Sequence, residues 1–216
     1  GMPVKCDVTN FEEVKASVKK VADAWKTIDI LVNDAALFQY KIFMDCTPQE
    51  WDREIKVNYY GTIHCTRAVL DYMIPQKSGR IISIGSDAGR IGENRQSVYS
   101  GTKGAIMSFT KAMCQEIGRY GITMNVVCPG GTAPEEGPGK RGSWKNMPPR
   151  KPLDKMTPEE RAAAEARQKQ VLGLYPMAKP DRTGKPEDVA NMVAYLASEQ
   201  AYYVTGQIIS TSGGFS

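Results

Sequence analysis

Apolar runs rich in β-branched residues alternate along this chain with stretches whose apolar positions recur every three or four residues. The first pattern is that of strands buried on both faces, the second that of amphipathic helices. Residues 3–8 read as a short strand. Asn10 then caps a helix over 11–25, with Val14, Val18, Val21 and Ala22 on one face. Residues 28–33 are a continuous apolar strand. Thr47-Pro48-Gln49-Glu50 opens the next helix, with threonine as N-cap, proline at the first position and Glu50 where a capping box needs its carboxylate. That helical pattern continues, with or without a break, to about residue 73. A strand over 81–84, a helix over 97–120 and a strand over 122–127 follow, the last ended by Pro129-Gly130. Pro186-Glu187-Asp188 starts a helix reaching about residue 198, and residues 207–210 form a last strand. Strand and helix in repeated alternation predict an α/β fold: a Rossmann-like, doubly wound parallel sheet in three layers, with residues 1–216 as one domain.

One stretch breaks the alternation. Residues 130–155 hold many of the prolines and glycines, together with Lys140, Arg141, Lys145, Arg150, Lys151 and Lys155. A long loop beyond the carboxyl end of a strand is where open α/β sheets place ligands. Thr157-Pro158-Glu159-Glu160 then caps a polar helix over 159–172. Residues 130–175 are therefore expected to form a substrate loop or lid within the domain.

Composition narrows the function. A net charge of +4 is too mild to argue for nucleic acid, and no run of 18 or more apolar residues is present to span a membrane as a helix. Five scattered cysteines make no CxxC pair, and His64 is the only histidine, so no metal site is expected. Free, small, hydrophobic cysteines suit a reducing cytoplasm.

The chemistry concentrates in Val98-Tyr99-Ser100-Gly101-Thr102-Lys103, with Ser86 upstream. A tyrosine and a lysine four apart on a helix share one face. An ammonium beside a phenol favours the phenolate, which turns a poor acid–base group into one usable near neutral pH. A serine hydroxyl nearby is placed to hold a substrate oxygen. This is the equipment of a carbonyl/alcohol redox site.

Several segments, in order, then carry a resemblance. They are Cys6-Asp7-Val8-Thr9, Asn33-Asp34-Ala35-Ala36, Asn58 in Lys56-Val57-Asn58, Ser86 in Ile84-Gly85-Ser86, the Tyr99/Lys103 pair, Asn125-Val126-Val127-Cys128-Pro129-Gly130 and Val204-Thr205-Gly206-Gln207. From about residue 3 to its end the chain resembles the short-chain dehydrogenases/reductases of the classical type. The resemblance implies catalytic roles for Ser86, Tyr99, Lys103 and Asn58. Tyr99 would be the proton donor or acceptor, and Lys103 would lower its pKa and bind the nicotinamide ribose. Ser86 would hold the substrate oxygen, and Asn58 a water linking Lys103 to solvent. It also implies a NAD or NADP site, to which Tyr99 and Lys103 contribute as well. Asp7 and Val8 would meet the adenine, Asn33, Ala35 and Ala36 would form the turn beside the cofactor, and Pro129, Gly130 and Thr132 would lie near the nicotinamide. Asp34 and Ala36 depart from the family's Asn-Asn-Ala-Gly turn, adding a carboxylate and a methyl group. A homodimer or homotetramer is implied as well.

The family's opening strand, Gly-rich turn, helix and second strand have no counterpart here, so the resemblance predicts an N-terminally truncated domain. The strand at 28–33 would then be an edge, to be paired by residues 3–8, a neighbouring subunit or an aggregate. Two functions stay open. One is an oxidoreductase moving hydride between NAD(P) and a secondary alcohol or ketone, including anionic substrates such as an acyl-CoA thioester. The other is a truncated, cofactor-incompetent relative with an assembly role or no independent activity.

Overall fold

The computed structural model describes residues 1–132, 155–177 and 184–216. Its sheet has four parallel strands, β1 (Ile30–Asn33), β2 (Gly79–Ile84), β3 (Ile122–Pro129) and β4 (Ile208–Thr211), in the spatial order β1-β2-β3-β4. The helices between and around them are α1 (Phe11–Trp25), α2 (Pro48–Ile55), α3 (Gly61–Gln76), α4 (Ala88–Ile91), α5 (Ser97–Ile117), α6 (Pro158–Gly173) and α7 (Pro186–Ala197).

The pleat sends alternate side chains of each strand to opposite faces, and both faces are apolar. On one face Ile81, Ile122 and Met124 pack with Ala22 of α1, Val69, Leu70 and Met73 of α3 and Ile117 of α5. On the other, Ile82 and Val127 pack against Leu196 of α7 and Ala201. Helices on both faces of a parallel sheet make the expected three-layer, Rossmann-like architecture.

Local sequence explains the better-defined helix ends. The Asn10 side chain accepts from the backbone N–H of Glu12 and Glu13, and α1 stops at Lys26 in a left-handed conformation. Thr47 and Glu50 form the reciprocal capping box at the start of α2.

One expectation needs correction. Residues 3–8 form no strand. Strand geometry needs a partner ladder, and no described strand lies beside this segment. It is held instead by side chains, with the Asp7 N–H donating to Glu13 and the Val8 carbonyl 2.9 Å from Nδ1 of His64. The outer edge of β1 is thus not paired by residues 3–8, and Ile30 and Val32 are 48% and 42% exposed. The helical run after Thr47, expected with or without a break, is broken by a π turn, Lys56–Tyr60, before α3 resumes at Gly61. Such turns wedge an extra residue into the ladder and commonly mark functional positions. Asn58 sits inside it.

The asymmetry between β2 and β1 has a measurable consequence. Ile81 is 0% exposed in the middle of the sheet. Ile81→Ala is expected to cost about 2–5 kcal/mol, the usual range for emptying a buried isoleucine site. Ile30→Ala at the exposed edge is expected to cost much less. Denaturant unfolding of the two variants checks the difference.

Candidate active site

The carboxyl end of β2 delivers the chain to Ser86, then through the short α4 into α5, which carries Tyr99 in its first turn and Lys103 one turn later. Gly89 lets this path fold tightly. A Cβ there would come within 2.8 Å of the Lys103 Cβ and the Gly104 nitrogen, so α4 lies directly on α5 only because residue 89 has no side chain. Ser86 Oγ accepts from the Ala88 N–H at 3.1 Å, and its hydroxyl acts on the Tyr99 phenol in the direction that lowers its pKa. Lys103 is 2% exposed. Its Nζ lies 5.6 Å from the centre of the Tyr99 ring and donates to the Ile84 carbonyl at 2.6 Å. Phe38 closes the other side of the phenol, edge-on, with ring centres 5.1 Å apart. The expected serine, tyrosine and lysine therefore converge.

Their ionisation differs from the sequence expectation. Burial pushes the Tyr99 phenol up to about 12. The Ser86 hydrogen bond opposes this, and the charges of Glu54, Glu93 and Cys128 add to it. Burial likewise brings Lys103 down to about 8, with Asp34 and Cys128 partly sustaining its charge. In this structure Lys103 does not bring the phenol below its ordinary value. Both groups have lost water, which disfavours the charged form of each.

Asn58 is fully buried and does not touch Lys103 through any hydrogen bond described. Its Oδ1 accepts from the Leu37 N–H at 2.6 Å, and its Nδ2 donates to the Leu37 carbonyl at 2.8 Å and to Thr102 Oγ1 at 3.1 Å. The Thr102 hydroxyl donates in turn to the Tyr99 carbonyl at 2.7 Å. Asn58 thus joins the segment after β1 to the first turn of α5.

The candidate cofactor residues fall into two groups. Asp7, Val8 and Ala35 line one cleft of about 670 Å³ together with Lys5, Cys6, Glu13 and Val57, a volume in the range of small-molecule sites. Asp7 is at the same time a turn residue. Its Oδ1 accepts from the N–H and hydroxyl of Thr9, which holds the carboxyl below the usual range. Asn33 faces inward, donating to Ser83 and Thr66, while Ala35 and Ala36 are exposed at the end of β1. Pro129 and Gly130 end β3, where the Pro129 carbonyl accepts from Asp87 and the Thr132 hydroxyl donates to the Gly130 carbonyl at 3.2 Å. The cleft mixes apolar Val8, Ala35 and Val57 with charged Lys5, Asp7 and Glu13, and with the Lys103 cation and the turn backbone at the carboxyl ends of the strands these residues are compatible with a nicotinamide dinucleotide.

Three participants were not singled out from the sequence. Phe38 packs on Tyr99, and Thr102 links it to Asn58. Glu54 is 4% exposed with its carboxyl pushed up to about 7 by burial. Only Glu54 left a legible signal, as a carboxylate four residues before Asn58 on one helical face. Of the expected lid over 130–175, residues 133–154 lie outside the described residues. Its described end contributes Tyr175, whose hydroxyl accepts from the Gly131 N–H at 3.0 Å and whose ring stacks on Phe215 at 4.5 Å.

Comparison with known proteins agrees with this geometry. A family model described as short chain dehydrogenase matches residues 2–141, and one described as enoyl-(acyl carrier protein) reductase matches residues 156–216. The 3-oxoacyl-[acyl-carrier-protein] reductase FabG of Staphylococcus aureus is 33% identical over 211 residues, covering 98% of this chain and 75% of the relative. The 3-oxoacyl-[acyl-carrier-protein] reductase of Synechocystis is 34% identical over 215 residues, covering 99% and 75%. The FabG of Thermotoga maritima is 31% identical over 219 residues, covering 99% and 78%.

Proposed function

The chain belongs to the short-chain dehydrogenase/reductase family, and on that premise we propose that it reduces a ketone to a secondary alcohol with NAD(P)H, with Tyr99 as the acid–base group. The observation that carries this reading is the convergence of the Ser86 hydroxyl, the Tyr99 phenol and the buried Lys103 ammonium at the carboxyl ends of β2 and β3. When bound by these residues, NAD(P)H would supply the hydride for the carbonyl carbon. The Ser86 and Tyr99 hydroxyls bracket the carbonyl oxygen, and the phenol proton passes to it as negative charge develops. Lys103 stabilises the phenolate left behind, which regains its proton from solvent. Oxidation runs the same steps backwards. Asn58 holds the Leu37 segment and Thr102 so that Tyr99 keeps its place.

For the cofactor we assign Asp7 and Val8 to the adenine end, Asn33, Ala35 and Ala36 to the turn beside it, and Pro129, Gly130 and Thr132 to the nicotinamide, with Lys103 on its ribose. The activity of the relatives, 3-oxoacyl-[acyl-carrier-protein] reductases, favours a 3-oxoacyl thioester as substrate, and Lys155 of the basic loop suits an anionic one. We further propose a homodimer or homotetramer. The five free cysteines accord with a reducing cytoplasm, and no described helix is long and apolar enough to cross a membrane.

Fluorescence titration with NADH and NADPH tests the premise. A saturating change with one of them at or below about millimolar supports the reading, in the usual range for such enzymes. No change with either overturns it in favour of a cofactor-incompetent relative.

The pH profile follows from Lys103. With its proton held only to about pH 8, the ammonium is present below that value and lost above it. The reduction rate at saturating cofactor is expected to fall as pH rises through about 8. A rate that stays level to pH 10 would remove Lys103 from its stabilising role.

A further inference from the structure

A buried carboxylate that pairs with no cation is costly to a fold, and α2 carries one against the segment that meets the phenol. Glu54 is 4% exposed, and among the described residues it makes no ion pair. Its Oε1 accepts from the Gln39 N–H at 3.2 Å. One helical turn further on, Asn58 grips both the N–H and the carbonyl of Leu37. The two side chains thus clamp residues 37 and 39, and the residue between them, Phe38, is the one whose ring meets Tyr99 edge-on at 5.1 Å and 76°. The charge of Glu54, like those of Glu93 and Cys128, acts to push the Tyr99 phenol up.

We propose that Glu54 is a positioning residue for Tyr99: with Asn58 it fixes the segment that lays Phe38 against the phenol, and its charge state sets how readily the phenol gives up its proton. The catalytic meaning of this assignment rests on the acid–base role proposed for Tyr99. The coupling between the two side chains does not. Nearby cations are engaged elsewhere. Lys41 pairs with Glu50 at 3.0 Å, and Lys103 donates to the Ile84 carbonyl. The titratable groups around the pair are Lys41 and Glu50 at the loop and α2, Lys103 on α5, Glu93 before it, Asp34 after β1 and Cys128 on β3. A neutral amide or aliphatic side chain at residue 54 would fill the same space without burying a charge, so packing alone gives no reason for an acid there.

The sign of the effect is fixed. Glu54 is neutral below about pH 7 and charged above it. A carboxylate beside a phenol raises the phenol's proton affinity, so the phenol is the better proton donor on the acid side of that value.

The test uses the full chain with ¹³C-labelled tyrosine, the Tyr99 ring resonance being assigned by its loss in Tyr99→Phe. In the wild type this resonance is expected to move with a midpoint near pH 7. In Glu54→Gln, which keeps an acceptor for the Gln39 N–H, the step disappears. A Tyr99 resonance that does not titrate there, or that titrates equally in Glu54→Gln, overturns the proposal. Kinetics supply the second readout. Glu54→Gln is expected to lose the step near pH 7 in the rate of reduction, and at pH 8 to exceed the wild-type kcat by about two- to tenfold, with cofactor affinity unchanged. A kcat profile that keeps its step overturns the catalytic part. A chain that shows the resonance step but no turnover upholds the coupling and counts against the proposed reaction, so the two failures are told apart.

Discussion

Tyr99→Phe is expected to lower kcat for carbonyl reduction by about 100- to 10,000-fold, the usual worth of a positioned general acid. The substitution removes one oxygen and little else. The phenylalanine ring keeps the edge-on contact with Phe38 and the half-buried place in the first turn of α5. Ser86 keeps its bond from the Ala88 N–H. Cofactor affinity should change little and the melting temperature by no more than a few degrees. Steady-state kinetics, the cofactor titration and thermal unfolding of the one variant separate these quantities. Retention of most of the turnover would remove Tyr99 from the chemistry.

Lys103→Met is expected to do two things that rarely go together. Turnover falls by orders of magnitude, since the phenolate loses its counter-charge. The fold, in contrast, gains stability relative to wild type at neutral and acid pH. In the folded chain the Lys103 ammonium gives up its proton at about 8 instead of the ordinary 10.5, so folding opposes its charge. That penalty is fully present below about pH 8, shrinks as pH rises towards 10.5, and is gone above it. Against it stands the lost hydrogen bond to the Ile84 carbonyl, which reduces the gain by a constant amount. The melting-temperature advantage of Lys103→Met over wild type should therefore narrow between pH 8 and pH 10.5. An advantage that does not change with pH would mean that Lys103 is not held against its charge.

The site was legible in the sequence wherever it depends on helical spacing. Tyr99 and Lys103 share a face of α5 because they are four apart, and Ser86 is delivered to them by the strand that precedes α4. The ends of α1 were legible too, because Asn10 is a cap by its chemistry wherever it stands. What failed is what depends on parts of the chain far apart in sequence. Residues 3–8 have the composition of a strand, but a strand exists only with a neighbour to pair with. A break in the helix after Thr47 is allowed by the sequence pattern, but its form, the π turn at Lys56–Tyr60, inserts a residue that no propensity announces. The ionisation of Tyr99 and Lys103 follows from how deeply β2, β3 and the Leu37–Gln39 segment bury them, which spacing does not report. Glu54 lies between these cases. Its position relative to Asn58 can be read directly, but its burial, and with it its influence on the phenol, cannot.

The account turns on Tyr99 giving a proton while a reduced nicotinamide gives a hydride. The direct measurement is the disappearance of reduced-nicotinamide absorbance when the full chain meets a 3-oxoacyl thioester in the presence of NADPH or NADH, run beside Tyr99→Phe. We expect a thioester-dependent loss matched mole for mole by 3-hydroxyacyl product in the wild type, and almost none in the variant. No loss with either cofactor, or the same loss in Tyr99→Phe, would contradict it.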